Sequence, residues 1–193
     1  MAEQDESLLE RAQGAAEGDL RAFEELVSRH RRGIVANCRH ITRNPNDAED
    51  LAQEVFVKAY FGMDRFEGRS TVRHWLQTIK VNHCLNHLKK QAGKQHVDLE
   101  DDSVREAPQL STPAVAEKQA EAGSERRIIQ RVLDSMSETV RIPLVLRDMD
   151  DLSYEEIAQA LGIGLSAVKM RIKRGREEFR SRYTELGGQA RAL

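Results

Sequence analysis

The chain has 193 residues, 39% hydrophobic and 32% charged, with Lys+Arg 30 against Asp+Glu 32. That length accommodates one or two domains, and the apolar fraction is enough for small cores. No run of about 18 apolar residues is present to cross a bilayer. The acidic start Met1-Ala2-Glu3-Gln4-Asp5-Glu6 is unlike a secretory signal, and two cysteines, Cys38 and Cys84, are too few for a disulfide scaffold. A reducing, cytoplasmic setting is the expectation. With aromatics at 5% and few strand-like runs, the composition argues against an all-β fold.

The net charge of −2 conceals four blocks. Residues 1–27 carry eight acids and two bases, and residues 97–125 repeat that ratio. Between them, residues 68–96 hold Arg69, Arg73, Lys80, Lys89, Lys90 and Lys94 with no acid, and residues 166–182 hold seven bases against Glu177 and Glu178. Two basic blocks separated by an acidic one suggest two polyanion-binding surfaces on a tether. Solvated helix faces are the competing explanation for either block taken alone.

Taken in order, residues 5–17 predict a short acidic helix. A second helix spans about 19–42, with Asp19 as its N-cap, Phe23, Leu26, Val27, Ile34 and Ile41 on its apolar face, and Gly33 weakening its middle. Asn44-Pro45-Asn46 ends it, and a third helix starts near Asp47 with Leu51, Val55 and Tyr60 inward. Residues 64–71 break the periodicity and form a loop. A fourth helix runs from about Val72 to Lys90 on Trp75, Leu76, Ile79, Leu85 and Leu88. Residues 91–122 contain Pro108, Pro113 and the acidic cluster 98–102, without large apolar periodicity, so they read as a linker. Helices resume at about 124–136, 138–149, 153–161 and 165–183, and the segment 187–193 is a tail. The expected fold is all-α: an N-terminal helical bundle (1–92), a flexible acidic linker (93–123) and a C-terminal helix-turn-helix domain (124–186).

The C-terminal pattern is the sharpest. Ser153-Tyr154-Glu155-Glu156 is a capping box, Gly162-Ile163-Gly164 a turn looser than one needs, and the next helix buries Val168 and Ile172 while presenting bases. In a helix-turn-helix the second helix enters the major groove. Spacing puts Ser166, Ala167, Lys169, Met170, Lys173 and Arg174 toward base edges, and Arg171 and Arg176 toward phosphates. Pro143 should kink the helix that follows Ser137.

The run from Asp148 to Ala158, followed by Val168-Lys169-Met170-Arg171-Ile172-Lys173-Arg174-Gly175-Arg176, resembles the second DNA-binding domain of a bacterial RNA polymerase sigma factor of the extracytoplasmic-function class. Asp47-Ala48-Glu49-Asp50-Leu51-Ala52-Gln53-Glu54-Val55-Phe56-Val57-Lys58-Ala59-Tyr60 resembles the family segment that grips the polymerase clamp, and Phe66-Glu67-Gly68-Arg69-Ser70 with Trp75, Leu76, Ile79 and Asn82 resembles its promoter-melting segment. The resemblance implies that Asp47, Glu49, Asp50, Gln53 and Glu54 form the polymerase-binding stripe. It implies that Phe66, Arg69, Ser70, Arg73, Trp75, Lys80, Asn82, Asn86, Lys89 and Lys90 handle the downstream (minus-ten) element, with Phe66 as an exposed aromatic near a flipped base. It also implies three partners: core RNA polymerase through its clamp and flap regions, promoter DNA, and an anti-sigma factor, often membrane-attached. The free protein would be monomeric, or bound one-to-one to the anti-sigma. The acidic cluster 98–102 would mimic nucleic acid in a polymerase channel or mask the basic helices.

Two other classes fit parts of the chain. A conventional helix-turn-helix regulator would bind a symmetric duplex site without polymerase, but leaves the acidic stripe without a role. His83-Cys84, His87, Cys38 and His40 have the residue types of a metal or thiol site, yet no Cys-x-x-Cys is present. With no Gly-rich phosphate loop, nucleophile elbow or catalytic carboxylate pair, neither enzymatic activity nor a cofactor is expected.

Overall fold

The computed structural model describes residues 2–16, 19–95 and 117–186. Eight α-helices follow in order: α1 (Ala2–Gln13), α2 (Arg21–Thr42), α3 (Pro45–Gly62), α4 (Val72–Gln95), α5 (Glu117–Ser135), α6 (Glu138–Asp148), α7 (Tyr154–Leu161) and α8 (Leu165–Glu185). A 3-10 turn, Met63–Arg65, follows α3. No strand occurs among the described residues. The acidic cluster 98–102, most of the expected linker and the tail 187–193 lie outside them.

Several boundaries differ from expectation for local reasons. Asp19 does not cap α2 through its first turn; Leu20 holds that position. The Asp19 carboxylate instead takes the Arg21 guanidinium (2.7 Å) and amide (3.2 Å), which hold its pKa down to about 2. Helix α3 starts two residues before Asp47, because Asn44 caps it by accepting from the Asn46 and Asp47 amides and Pro45 supplies the preset φ of a first helical residue. Helix α6 is continuous from Glu138 to Asp148 with Pro143 inside it. Both glycines of the 162–164 turn are used: Gly162 closes α7 at φ +65°, and Gly164 is the extended N-cap of α8.

Helices α1–α4 form one bundle. Leu8, Leu9, Leu26, Ile41, Val55 and Leu76 are buried at its centre, and the Cys38 and Cys84 thiols touch at 3.5 Å. The Cys84 contact and burial hold the Cys38 thiol protonated. In the second unit, Leu133, Leu146, Ile157, Val168 and Ile172 fill the space between α5, α6, α7 and α8. Helix α8 crosses α6 with Gly175 against it: a Cβ there would lie 3.0 Å from the Val140 carbonyl oxygen and 3.3 Å from Leu144 Cβ.

The two units are docked. Helix α6 packs on α2 and α7 on α4. The buried Arg141 donates to the Ile41 carbonyl (3.1 Å), closing over the end of α2. Arg43, left-handed at φ 62° where α2 ends, donates to the Met136 carbonyl. The loop between α6 and α7 wedges between α2 and α4. There Asp150, fully buried, pairs with the fully buried Lys80 and accepts from Asn37 Nδ2 (2.5 Å).

Gly175→Val is expected to destabilise the C-terminal unit by about 1–3 kcal/mol, because the added side chain meets backbone rather than a movable chain end. Chemical denaturation checks this: the transition should fall in midpoint, whereas Gly33→Ala, which meets nothing within 4 Å in mid-helix, should not lower it.

Candidate polymerase and nucleic-acid interfaces

Helix α3 exposes one long face. The Pro45 start and the inward set Ala48, Leu51, Ala52, Val55 and Ala59 rotate Asp50, Gln53, Glu54, Val57 and Phe61 outward. The five expected residues of the polymerase stripe are not equivalent there. Asp47 lies 3.1 Å from His87 Nε2 and accepts from Gln91 (3.1 Å); Glu49 pairs with Arg31 (2.8 Å); Glu54 pairs with His83. Asp50 and Gln53 are exposed and have no side-chain partner among the described residues. His83 and His87 thus each face a carboxylate of α3 rather than each other. Val57, inside the run that carries the resemblance, and Phe61, just beyond it, are 54% and 78% exposed and continue the same exposed face. Sequence reasoning missed Phe61, whose spacing from Val57 and Glu54 was the available signal.

The loop before α4 differs from the expectation for Phe66. Its ring is half-buried, 5.1 Å from that of Trp75, and both pack against the core. Gly68 turns the chain at φ +69°, and Arg69 reaches back to Glu67 (2.5 Å). Ser70 is exposed, and the Thr71 hydroxyl accepts from the His74 amide (3.2 Å), starting α4. Along α4, Asn82, Asn86, Lys89 and Lys90 are exposed at intervals of three or four residues, so they form one face. Lys80 does not belong to it. Its ammonium is sealed against Asp150, so in this conformation it can hold no phosphate. Arg73 lies 3.9 Å from Asp151, and His74 is 2.7 Å from Glu156.

In the C-terminal unit the capping box is complete. Glu156 accepts from the Ser153 amide and hydroxyl (both 2.7 Å), and Ser153 Oγ accepts from the Glu156 amide (3.2 Å). Burial works against the Glu156 charge, but the Ser153 amide and hydroxyl and His74 outweigh it and hold the carboxyl below its ordinary 4.5. On α8, Val168, Ile172 and Gly175 face inward, leaving Ser166, Lys169, Met170, Lys173 and Arg174 exposed; Ala167 and Arg171 are half-buried. Met170 is 64% exposed, a large apolar side chain standing among bases. Arg176, expected at phosphate, instead forks onto Asp148 through Nε (3.0 Å) and Nη2 (2.5 Å).

A basic, exposed second helix in a helix-turn-helix, tied to a bundle with an acidic–apolar face, defines a two-headed transcription protein. Comparison with known proteins agrees. Residues 26–94 match the Sigma-70 region 2 family and residues 126–179 the Sigma-70, region 4 family. The chain is 33% identical over 186 residues to the ECF RNA polymerase sigma-E factor of Escherichia coli K12, covering 94% of this chain and 95% of that one. It is 32% identical over 179 residues to the RNA polymerase sigma-H factor of Pseudomonas aeruginosa, with 91% of each covered. Among solved structures, its fold is similar to that of CnrH in complex with the cytosolic domain of CnrY (TM-score 0.57, 24% identity, 92% and 96% covered). It is also similar to the sigma factor RpoE in complex with the anti-sigma factor NepR from Bartonella quintana (TM-score 0.60, 21% identity, 84% and 96% covered). The chain belongs to the extracytoplasmic-function sigma factors of RNA polymerase. As such it is a transcription initiation factor.

Because the Glu156 pKa is lowered in the folded state, the capping box stabilises α7 fully above pH 4.5, and its contribution is lost as pH falls through the lower folded value. Ser153→Ala is expected to cost about 1 kcal/mol at pH 7. Thermal unfolding as a function of pH checks this: the deficit should shrink as pH is lowered below 4.5.

Proposed function

We propose that α3 docks on the core polymerase clamp through Asp50 and Gln53, with Glu54 and the exposed Val57 and Phe61 completing the face. Asp47 and Glu49 flank it, tied to His87 and to Arg31. The observation that carries this reading is a carboxylate and an amide left free beside two exposed apolar side chains on one helix. Charged rims steer and register such contacts, while a buried apolar centre supplies affinity.

Downstream promoter DNA is assigned to the exposed α4 face, Asn82, Asn86, Lys89 and Lys90, together with Arg69, Ser70 and Arg73. The Phe66–Trp75 pair would shelter a flipped base at its edge, since aromatic faces take unstacked bases of any sequence. The upstream element is assigned to α8: Lys169, Lys173 and Arg174 suit guanine acceptors, Met170 suits a thymine methyl, Ser166 and Ala167 lie toward base edges beside them, and Arg171 approaches the backbone. The Bartonella neighbour is bound to an anti-sigma factor, and an inhibitor of that kind is assigned here as well. No helix among the described residues is long and apolar enough to cross a membrane, and action in the cytoplasm, where the polymerase works, follows from the function.

Asp50→Arg is expected to weaken binding to core RNA polymerase by about tenfold or more while leaving thermal unfolding unchanged, as Asp50 has no partner within the described fold. A titration of labelled protein against core polymerase checks it; unaltered affinity rules the stripe out. Arg174→Ala, tested as assembled holoenzyme, is expected to lower upstream-element recognition by about 1–3 kcal/mol and to leave core binding intact.

A further inference from the structure

The two cysteines of the chain lie 46 residues apart and meet in the core of the first bundle. Cys38 on α2 and Cys84 on α4 are both fully buried, with their sulfurs 3.5 Å apart. A disulfide bond is about 2.05 Å long, so the sulfurs need to approach by only about 1.5 Å to be joined. The two thiols are chemically unequal. The Cys84 contact and burial push the Cys38 thiol up. The Cys38 contact pulls the Cys84 thiol down; burial opposes this, and the Lys80 ammonium adds to it. A cavity of about 710 Å³ between α1, α2 and α4 comes close to the pair. Ile34 and Lys80, each one turn before a cysteine, line it with Asn37, Leu76 and Gln77. Helical side chains lean toward the start of their helix, so both thiols tilt toward that wall.

We propose that Cys38 and Cys84 are a peroxide-oxidisable dithiol whose disulfide staples α2 to α4. The Cys84 thiolate attacks one oxygen of hydrogen peroxide. The O–O bond breaks, hydroxide leaves and takes up the proton that Cys84 released, and Cys84 becomes a sulfenic acid. The Cys38 sulfur then attacks the Cys84 sulfur; the S–O bond breaks, and the hydroxyl leaves as water with the Cys38 proton. Peroxide is reduced to two waters, and two thiols are oxidised to one disulfide. The cavity wall selects the oxidant by size. Hydrogen peroxide is small and uncharged and passes between side chains, whereas oxidised glutathione must bring its own disulfide to a buried sulfur and is excluded. The cross-link closes a loop that contains all of α3 and residues 64–71, so it fixes α4 on α2 beneath both proposed interfaces.

The test treats the reduced full chain with hydrogen peroxide or, separately, with oxidised glutathione. The remaining thiols are then alkylated in denaturant and the products weighed by mass spectrometry. Peroxide is expected to give a monomer two hydrogens lighter, with neither cysteine alkylated and a peptide joining Cys38 to Cys84; dithiothreitol should restore both alkylations. The thermal midpoint of the oxidised chain should rise by about 5 °C or more and fall back on reduction, because the cross-link restricts the unfolded chain. Oxidised glutathione should leave both thiols open to alkylation. In Cys38→Ala, peroxide should leave a Cys84 sulfenic acid that dimedone traps; in Cys84→Ala, Cys38 should stay unmodified. The wild-type measurements decide the matter even where a variant fails to fold. Two thiols still alkylated after peroxide, one sulfur oxidised to sulfinic acid without a cross-link, or a cross-linked chain no more stable than the reduced one overturns the proposal. Cross-linking by oxidised glutathione as fast as by peroxide overturns the size selection by the cavity wall.

Discussion

The buried Lys80–Asp150 pair sets the arrangement of everything else in this molecule. Removing one partner of such a pair costs about 3–5 kcal/mol, whereas replacing both with apolar groups is often neutral, so the pair contributes position more than net stability. It fixes where the α6–α7 loop sits between α2 and α4, and Asn37 and Arg141 extend that placement to α2.

The architecture divides labour by face. The inward sides of α3 and α4 build a bundle core around Val55, Leu76 and the touching thiols of Cys38 and Cys84. Their outward sides carry an acidic–apolar face and a basic face. His83 and His87 stand between these faces and hold Glu54 and Asp47, so the helix proposed to meet DNA also positions the helix proposed to meet polymerase. The same economy appears at Glu156, which caps α7 and meets His74 across the seam.

Much of this was legible in the sequence. Helical periodicity placed all eight helices to within a few residues except at the end of α4 and the start of α5, which both run into the expected linker, and the Ser153–Glu156 box and the glycines around residue 163 located the helix-turn-helix. The misses share one physical cause. Lys80, Phe66 and Arg176 were read from local charge or aromaticity, but their states are set by partners far along the chain: Asp150, Trp75 and Asp148. A lysine in a basic block looks solvated until a distant acid is known to cover it. Gly175 was likewise silent, because a glycine amid helix-forming residues signals close approach only when the opposing backbone is known.

That glycine has a mechanical consequence. With α8 backbone against α6 at Gly175, the helix cannot roll about its own axis without driving its side chains into Val140 and Leu144. The angular phase of Ser166, Lys169, Met170, Lys173 and Arg174 is therefore geared to α6, and α6 ends at the loop that carries Asp150. The proposed promoter-reading face thus turns only with the entire C-terminal unit, as the hand of a clock turns with its spindle. Any force that swings that unit off α4 re-aims the reading head by the same angle.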